Sequence, residues 1–446
     1  MKTSLIRNIC FIHALSLMVS CAEDPNIGTT VITKWQGNKN AAISITFDDG
    51  IINQFTIAKP IMDSLGFPGT FYVITGKIKG SGSGKFIGRD PKKIIEETAS
   101  IQTNKENFFE RASLIAFTGT SEAADYHAKV GSLFEQRRIE EAYDLLDEGY
   151  QKIRNKSIKN NFEVVFHNNP EDTTSWEQLK TYAAQGHEIA SHTVTHPRLA
   201  VLDEVNLRYE LEQSKADLLR FLGPESTFSA EGPYGTENER ALSFAHQVYP
   251  SLRNRMPEPW LEEINRGSKM NPAESQKEYV QWQRGPLSSV HLDEMKGWVD
   301  TSIKQANTWL VLVFHGIDNL GWEPKTRLEL KEYFEFLKKK EDQLWIATFR
   351  DVTKYLRQRK SAKIQMEKKD GFIFVTISST LDPALYNVPL TVKTYVPNHW
   401  NSVAIVKGKE SELSKVERDE NGSFVLYSYR LGDPSISLSS GDSGKF

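Results

Sequence analysis

At 446 residues the chain exceeds what a single hydrophobic core supports, so two or more structural units are expected. A quarter of the residues are charged and the net charge is only -3, which excludes the basic surplus that marks a nucleic-acid partner. The composition is that of a globular protein and excludes a disordered or fibrous chain.

The first residues read as a targeting segment. Lys2 and Arg7 precede an apolar stretch over residues 9–19 that is too short to span a bilayer. It ends in Leu17-Met18-Val19-Ser20-Cys21, and small residues before a cysteine resemble the cleavage box of bacterial lipoproteins, in which that cysteine is lipidated. Cys10 lies inside the segment to be removed, so Cys21 would be the only thiol of an exported protein, and an acyl anchor explains it better than an incidental cysteine. Residues 1–21 are therefore expected to be a lipoprotein-type signal, with the mature protein in the bacterial cell envelope, as an outer-membrane lipoprotein or periplasmic. Membrane contact is expected through the lipid anchor only, since no later stretch approaches ~18 uncharged apolar residues.

Residues 41–45 are small or β-forming and run into Thr46-Phe47-Asp48-Asp49-Gly50, a buried strand ending in a polar turn. Ile57, Ile61 and Leu65 recur at helical spacing, Gly66 and Pro68 stop that helix, and residues 69–75 form a second strand. Residues 77–168 interrupt this alternation with charged, helix-periodic segments at 110–118 and 136–156, read as a helical insertion. Alternation resumes at Ser175, whose spacing to Gln178 fits a capping box, and continues with a strand at 187–191. Residues 309–314 are uniformly apolar, as a strand buried on both faces should be, and end at His315. Beyond residue 360 short alternating runs at 371–377, 390–395, 403–406 and 424–429 predict a small β-sandwich over 361–446.

Four segments, far apart in sequence, put acid/base or metal-ligand types at strand ends or turns. Adjacent carboxylates at Asp48 and Asp49 can divide their labour between base and ligand, although an Asp-Asp-Gly turn alone reads equally well as structural. His192 and His196, four apart after a strand, can meet on one face and form a three-ligand site with a carboxylate from elsewhere. Gly232-Pro233-Tyr234-Gly235 is a tight turn able to expose a peptide N–H, and by itself is only a turn. His315 suits general acid work because its ordinary pKa lies near neutrality.

In combination and in this order these segments resemble the polysaccharide deacetylases, the carbohydrate esterase family 4 enzymes that include the rhizobial chitooligosaccharide deacetylase. The resemblance spans about residues 34–356 apart from the insertion, with smaller echoes at Gly69-Thr70-Phe71-Tyr72-Val73 and Gly186-His187-Glu188-Ile189. It implies a distorted (β/α) barrel over 34–359, with its site at the strand C-terminal ends. It further implies a divalent metal, expected to be zinc, on Asp49, His192 and His196, with Asp48 as base and His315 as acid. The backbone N–H of Tyr234 would help to hold the oxyanion. Many relatives carry an arginine two residues before the motif proline, where this chain has Glu231, so Glu231 is expected to pair with Arg284 of Gln281-Trp282-Gln283-Arg284-Gly285 in support of Asp48. Tyr234, Trp282 and Trp322 are candidates for stacking on sugar rings. The expected reaction is removal of acetyl groups from a polysaccharide, with N-acetyl hexosamine as target. The rivals are an O-acetyl esterase of the xylan type and a non-catalytic glycan-binding lipoprotein.

Overall fold

The computed structural model describes residues 26–82, 84–159, 163–164, 174–235 and 238–441. The expected signal segment with Cys21 lies outside the described residues. Among those residues no helix is long and apolar enough to cross a membrane.

The larger unit is built on one curled sheet. Its strands run side by side as Ser251–Leu252, Ser229–Ala230, Glu188–Ser191, Thr70–Val73, Ala41–Phe47, Thr308–Phe314, Tyr279–Arg284 and Leu261–Ile264. Every neighbouring pair is parallel. Leu344–Ile346 pairs with the start of the Ala41–Phe47 strand, whose far end pairs with Thr70–Val73. Apart from Leu344–Ile346, chain order therefore runs around the sheet, with Thr308–Phe314 returning beside Ala41–Phe47 and the gap falling between Ser251–Leu252 and Leu261–Ile264. This is the distorted (β/α) barrel that the motifs led us to expect. Its two central strands, Ala41–Phe47 and Thr308–Phe314, are buried at every residue, because helices cover the outside and side chains fill the inside. Phe47 stacks between Phe71 and Phe314 at centroid distances of 5.2 and 5.3 Å, tying three strands together. The helix Trp176–Ala184 starts with the Ser175–Gln178 capping box.

The insertion is helical. Pro91–Glu97, Phe108–Ala116, Ser121–Glu135 and Ile139–Arg154 pack around Phe108, Leu114, Ile115, Leu146 and Tyr150. Val201, from the loop after His196, belongs to the same apolar cluster, so the insertion is seated on the site's own loop.

The C-terminal region is all β, in two antiparallel sheets. Lys363–Lys369, Phe372–Ser378, Ile436–Ser440, Ser402–Lys407 and Glu410–Lys415 form one of them. The other contains Leu390–Tyr395, Gly422–Tyr429 and Glu417–Asp419, and is completed by Thr30–Ile32 from before the barrel. The sandwich thus borrows a strand from outside the expected 361–446 range. Lys363–Lys369 escaped sequence reading because five of its seven residues are charged or polar and almost all are exposed. Such charge on an edge strand blocks pairing with other chains. Trp35, Trp309, Phe349 and Tyr355 share one core with Val375, Val403 and Tyr427, so the barrel's floor and the sandwich are packed together.

Candidate active site

Six strands deliver polar residues to the same end of the barrel. Asp48 and Asp49 follow Ala41–Phe47, His192 follows Glu188–Ser191, and Glu231 follows Ser229–Ala230. Arg253 follows Ser251–Leu252, Arg266 lies two residues beyond Leu261–Ile264, and His315 follows Thr308–Phe314. A cavity of about 390 Å³ is lined by Asp48, Asp49, His192, His196, Arg198, Tyr234, Arg266, His315 and Trp322, among others.

Asp49, His192 and His196 converge. The Nε2 atoms of His196 and His192 lie 3.3 and 3.6 Å from Asp49 Oδ1, and the three candidate ligand atoms are all within 4.8 Å of one another. A tetrahedral ion with ~2.0–2.1 Å bonds requires ligand separations of about 3.4 Å, which the two imidazole–carboxylate separations match, and the donor types suit a divalent transition-metal ion. His192 Nδ1 bonds the Glu231 carbonyl at 3.0 Å, which fixes the ring and leaves Nε2 toward Asp49. Burial lowers the His192 pKa to about 4, so the ring is neutral, as a ligand must be.

The backbone is bent to achieve this. Asp49, Thr193, His196 and Tyr234 all have positive φ, of 76, 67, 64 and 62°. Four non-glycine residues in the left-handed region around one cavity cost about 1–3 kcal/mol each and persist only where the surroundings enforce them. For the histidine loop the enforcing group is Glu210, buried on the helix Glu204–Leu222. Its carboxylate accepts from the Val194 and Thr195 amides at 2.8 and 2.9 Å and from Thr195 Oγ1 at 2.6 Å. Burial raises the Glu210 pKa to about 7.

Asp48 is buried and gripped end-on. Arg253 donates from its two terminal nitrogens to the two Asp48 oxygens, each at 2.7 Å, in the bidentate geometry that suits a planar guanidinium. Burial pushes the Asp48 carboxyl upward, but the Arg253 charge and its hydrogen bonds prevail, with help from His315 and His192, and the net shift is well below the usual range. Arg253 also lies 3.2 Å from Glu231 Oε1, which accepts from Asn254 Nδ2 as well. Burial first, and then the Asp48 charge, raise the Glu231 pKa to about 7 against the opposing pull of Arg253.

These contacts correct one expectation. The arginine paired with Glu231 is Arg253, not Arg284. Arg284 is the last residue of a strand, its guanidinium 4.6 Å from the Trp282 ring, and it donates toward the Arg266 and Ser268 carbonyls. Arg253 comes from the strand end next to Glu231. Arg253 went unnoticed because Ser251–Leu252 is too short for an alternation signal. A second correction concerns Trp282, which is only 5% exposed and packs in the barrel core, so it offers no face to a sugar. Trp322 and Tyr234 are 53% and 44% exposed and do line the cavity. Trp322 meets the His315 ring edge-on at 4.7 Å. His315 Nε2 is 3.4 Å from Asp48 Oδ2, and burial lowers its pKa against the pull of both aspartates.

Residues 138–249 match the family model "polysaccharide deacetylase", a span that takes in His192, His196, Glu231 and Tyr234. That span is about a quarter of the chain. A Bacillus sp. gellan lyase is 27% identical over 264 residues, covering 54% of this chain, which in turn spans only a tenth of that protein's length. The fold is similar to that of a family 4 carbohydrate esterase from Streptomyces lividans, solved with acetate, at 11% identity, covering 71% of this chain and 95% of that one (TM-score 0.31). It is also similar to the Xyl-CE4 domain of a multidomain xylanase from the hindgut metagenome of Trinervitermes trinervoides, at 12% identity, covering 71% and 90% (TM-score 0.32). A third similarity is to a peptidoglycan deacetylase from Bacillus subtilis, at 12% identity, covering 72% and 93% (TM-score 0.30).

Proposed function

We propose that this enzyme is a metal-dependent hydrolase that removes acetyl groups from a polysaccharide, with amide-linked N-acetyl hexosamine as its target. The observation that carries the reading is the meeting of Asp48, Asp49, His192, His196 and His315 in one cavity wide enough for a sugar. Asp49, His192 and His196 would hold a divalent cation, for which zinc suits the two imidazoles and one carboxylate. When bound, that ion supplies Lewis-acid polarisation of the acetyl carbonyl.

The chain's own groups account for the remaining steps. Asp48, held ionised and oriented by Arg253, takes the proton from the attacking water. Its depressed pKa makes it a weak base, and Glu231 moderates this by sharing the same guanidinium. Lowering of the His315 pKa by burial makes its protonated form a stronger acid toward the departing amine. The left-handed turn at Tyr234 puts backbone at the cavity wall, where the Tyr234 N–H would donate to the developing oxyanion. Trp322 would cover a sugar face beside His315. Acetate release from N-acetylated hexosamine oligomers, compared with acetylated xylan, tests the assignment. Release confined to xylan would replace the amide target with an ester one, and release from neither would overturn the reading.

We also propose export with lipidation at Cys21, on the sequence of residues 1–21 alone. Mass spectrometry of the expressed protein should find an acylated Cys21, and an intact or plainly cleaved N-terminus would refute it.

A further inference from the structure

The site cavity holds a cation that the proposed chemistry does not use. Arg198 bridges to Glu135 and Arg253 to Asp48 and Glu231, but among the described residues Arg266 has no carboxylate within ion-pairing distance. It senses Asp48, Glu231 and Asp49 only at longer range, and burial pushes its pKa down, against their pull. Withdrawing a guanidinium from water without a bonded counter-charge is costly, so such a group is poised for an anion from outside.

The position of Arg266 gives that anion an address. The residue lines the 390 Å³ site cavity and also a neighbouring one of about 310 Å³, and Tyr234 and Gly235 line both. One terminal nitrogen would lie only 3.8 Å from a Cβ on Gly235, so the guanidinium sits against the turn that divides the two spaces. The second cavity is walled by the polar side chains of Asn254, Asn265 and Gln283, with Gly267. Together the two spaces can take the acetylated sugar and its neighbour, with Arg266 at the junction.

We infer that this enzyme recognises an acidic polysaccharide, and that Arg266 binds the carboxylate of a uronic-acid-type residue adjoining the acetylated sugar. The inference deepens the deacetylase reading and rests on it. A planar guanidinium meets a carboxylate bidentately, a match that no hydroxyl reproduces, so Arg266 would select charge and not merely sugar shape.

The test uses one acetylated oligosaccharide carrying a hexuronate beside the acetylated residue, and the same compound with that carboxyl reduced to the alcohol. The full-length enzyme should show kcat/KM about tenfold to a hundredfold higher on the carboxylate form, mainly through KM. Arg266→Gln should abolish that ratio and Arg266→Lys should keep part of it. Equal rates of wild-type enzyme on both compounds would overturn the inference, as would an Arg266→Gln loss that is the same on both. Calorimetric binding of the two deacetylated products gives a readout independent of turnover. If no acetate is released from either compound the deacetylase reading fails, while a wild-type preference for the carboxylate product, lost in Arg266→Gln, would still uphold the role of Arg266.

Discussion

Arg253→Met would remove the guanidinium and keep most of the side-chain volume. In the wild-type protein Arg253 is fully buried, makes two 2.7 Å bonds to Asp48 and one of 2.9 Å to Thr46 Oγ1, and faces Glu231 at 3.2 Å. Losing it leaves two buried carboxylates without their shared counter-charge. Breaking a buried pair from one side costs about 3–5 kcal/mol, and the upper end applies here because two acids are stranded together. The sign of the pH dependence follows from the Asp48 shift. With a depressed folded pKa, the wild-type pair contributes stability that is present above the normal aspartate range and lost as pH falls through the folded value. In Arg253→Met the burial effect loses its main opponent, leaving only His315 and His192 against it, so the Asp48 pKa rises and the acid limb of the kcat/KM profile moves to higher pH. Activity at neutral pH should fall by at least about 10², the usual contribution of a positioned base. Urea unfolding at pH 7 and acetate release from pH 4 to 9 measure both effects. A variant with wild-type stability and an unshifted acid limb would refute the reasoning.

Glu210→Ala should release the histidine loop and weaken zinc binding about 10–100-fold, as loss of supporting hydrogen bonds does elsewhere; unchanged zinc affinity by competition titration would contradict this. Because the folded Glu210 pKa is raised to about 7, its contribution to stability is full below about pH 4.5 and is lost as pH rises through 7. Urea midpoints at pH 5 and 8 should therefore drop less in Glu210→Gln than in wild type, and an equal drop would refute the assignment. Trp322→Ala should raise KM several-fold with little change in Tm, whereas Trp282→Ala should cost about 3–5 kcal/mol of stability. The reverse pattern would reinstate Trp282 as the sugar contact. A Cβ on Gly131, in the insertion, would lie 2.2 Å from Arg198 Cδ, and Arg198 stands over the Tyr234 ring at 4.6 Å. Gly131→Ala should thus lower kcat/KM several-fold through the displaced Tyr234, and unchanged kinetics would show the insertion to be uncoupled from the site.

The parts of the fold legible in the sequence were those whose side chains record burial. Ala41–Phe47 and Thr308–Phe314 are buried throughout and read as apolar runs, so their ends, Asp48 and His315, could be placed before any coordinates. Arg253, Arg266 and Glu210 were not legible. The first follows a two-residue strand, the second follows a strand with two glutamates in its centre, and the third is one acid among several on a charged helix. Each matters through a contact with a residue distant in the chain, which spacing does not record. The expected pairing with Arg284 rests on its place within Gln281-Trp282-Gln283-Arg284-Gly285, where the resemblance puts a later motif, and strand order decides otherwise, because Ser229–Ala230 is hydrogen-bonded to Ser251–Leu252 and not to Tyr279–Arg284. Thr30–Ile32 was missed for a related reason, since its partner strand lies some 360 residues away.

The most direct test of a metal-dependent deacetylase is acetate release after chelation, followed by stepwise return of zinc. The structure predicts that dialysed enzyme is inactive, that about one equivalent of zinc per chain restores release, and that His196→Ala neither binds that equivalent nor recovers. Acetate release that survives complete removal of metal, or that recovers equally in His196→Ala, would contradict the account.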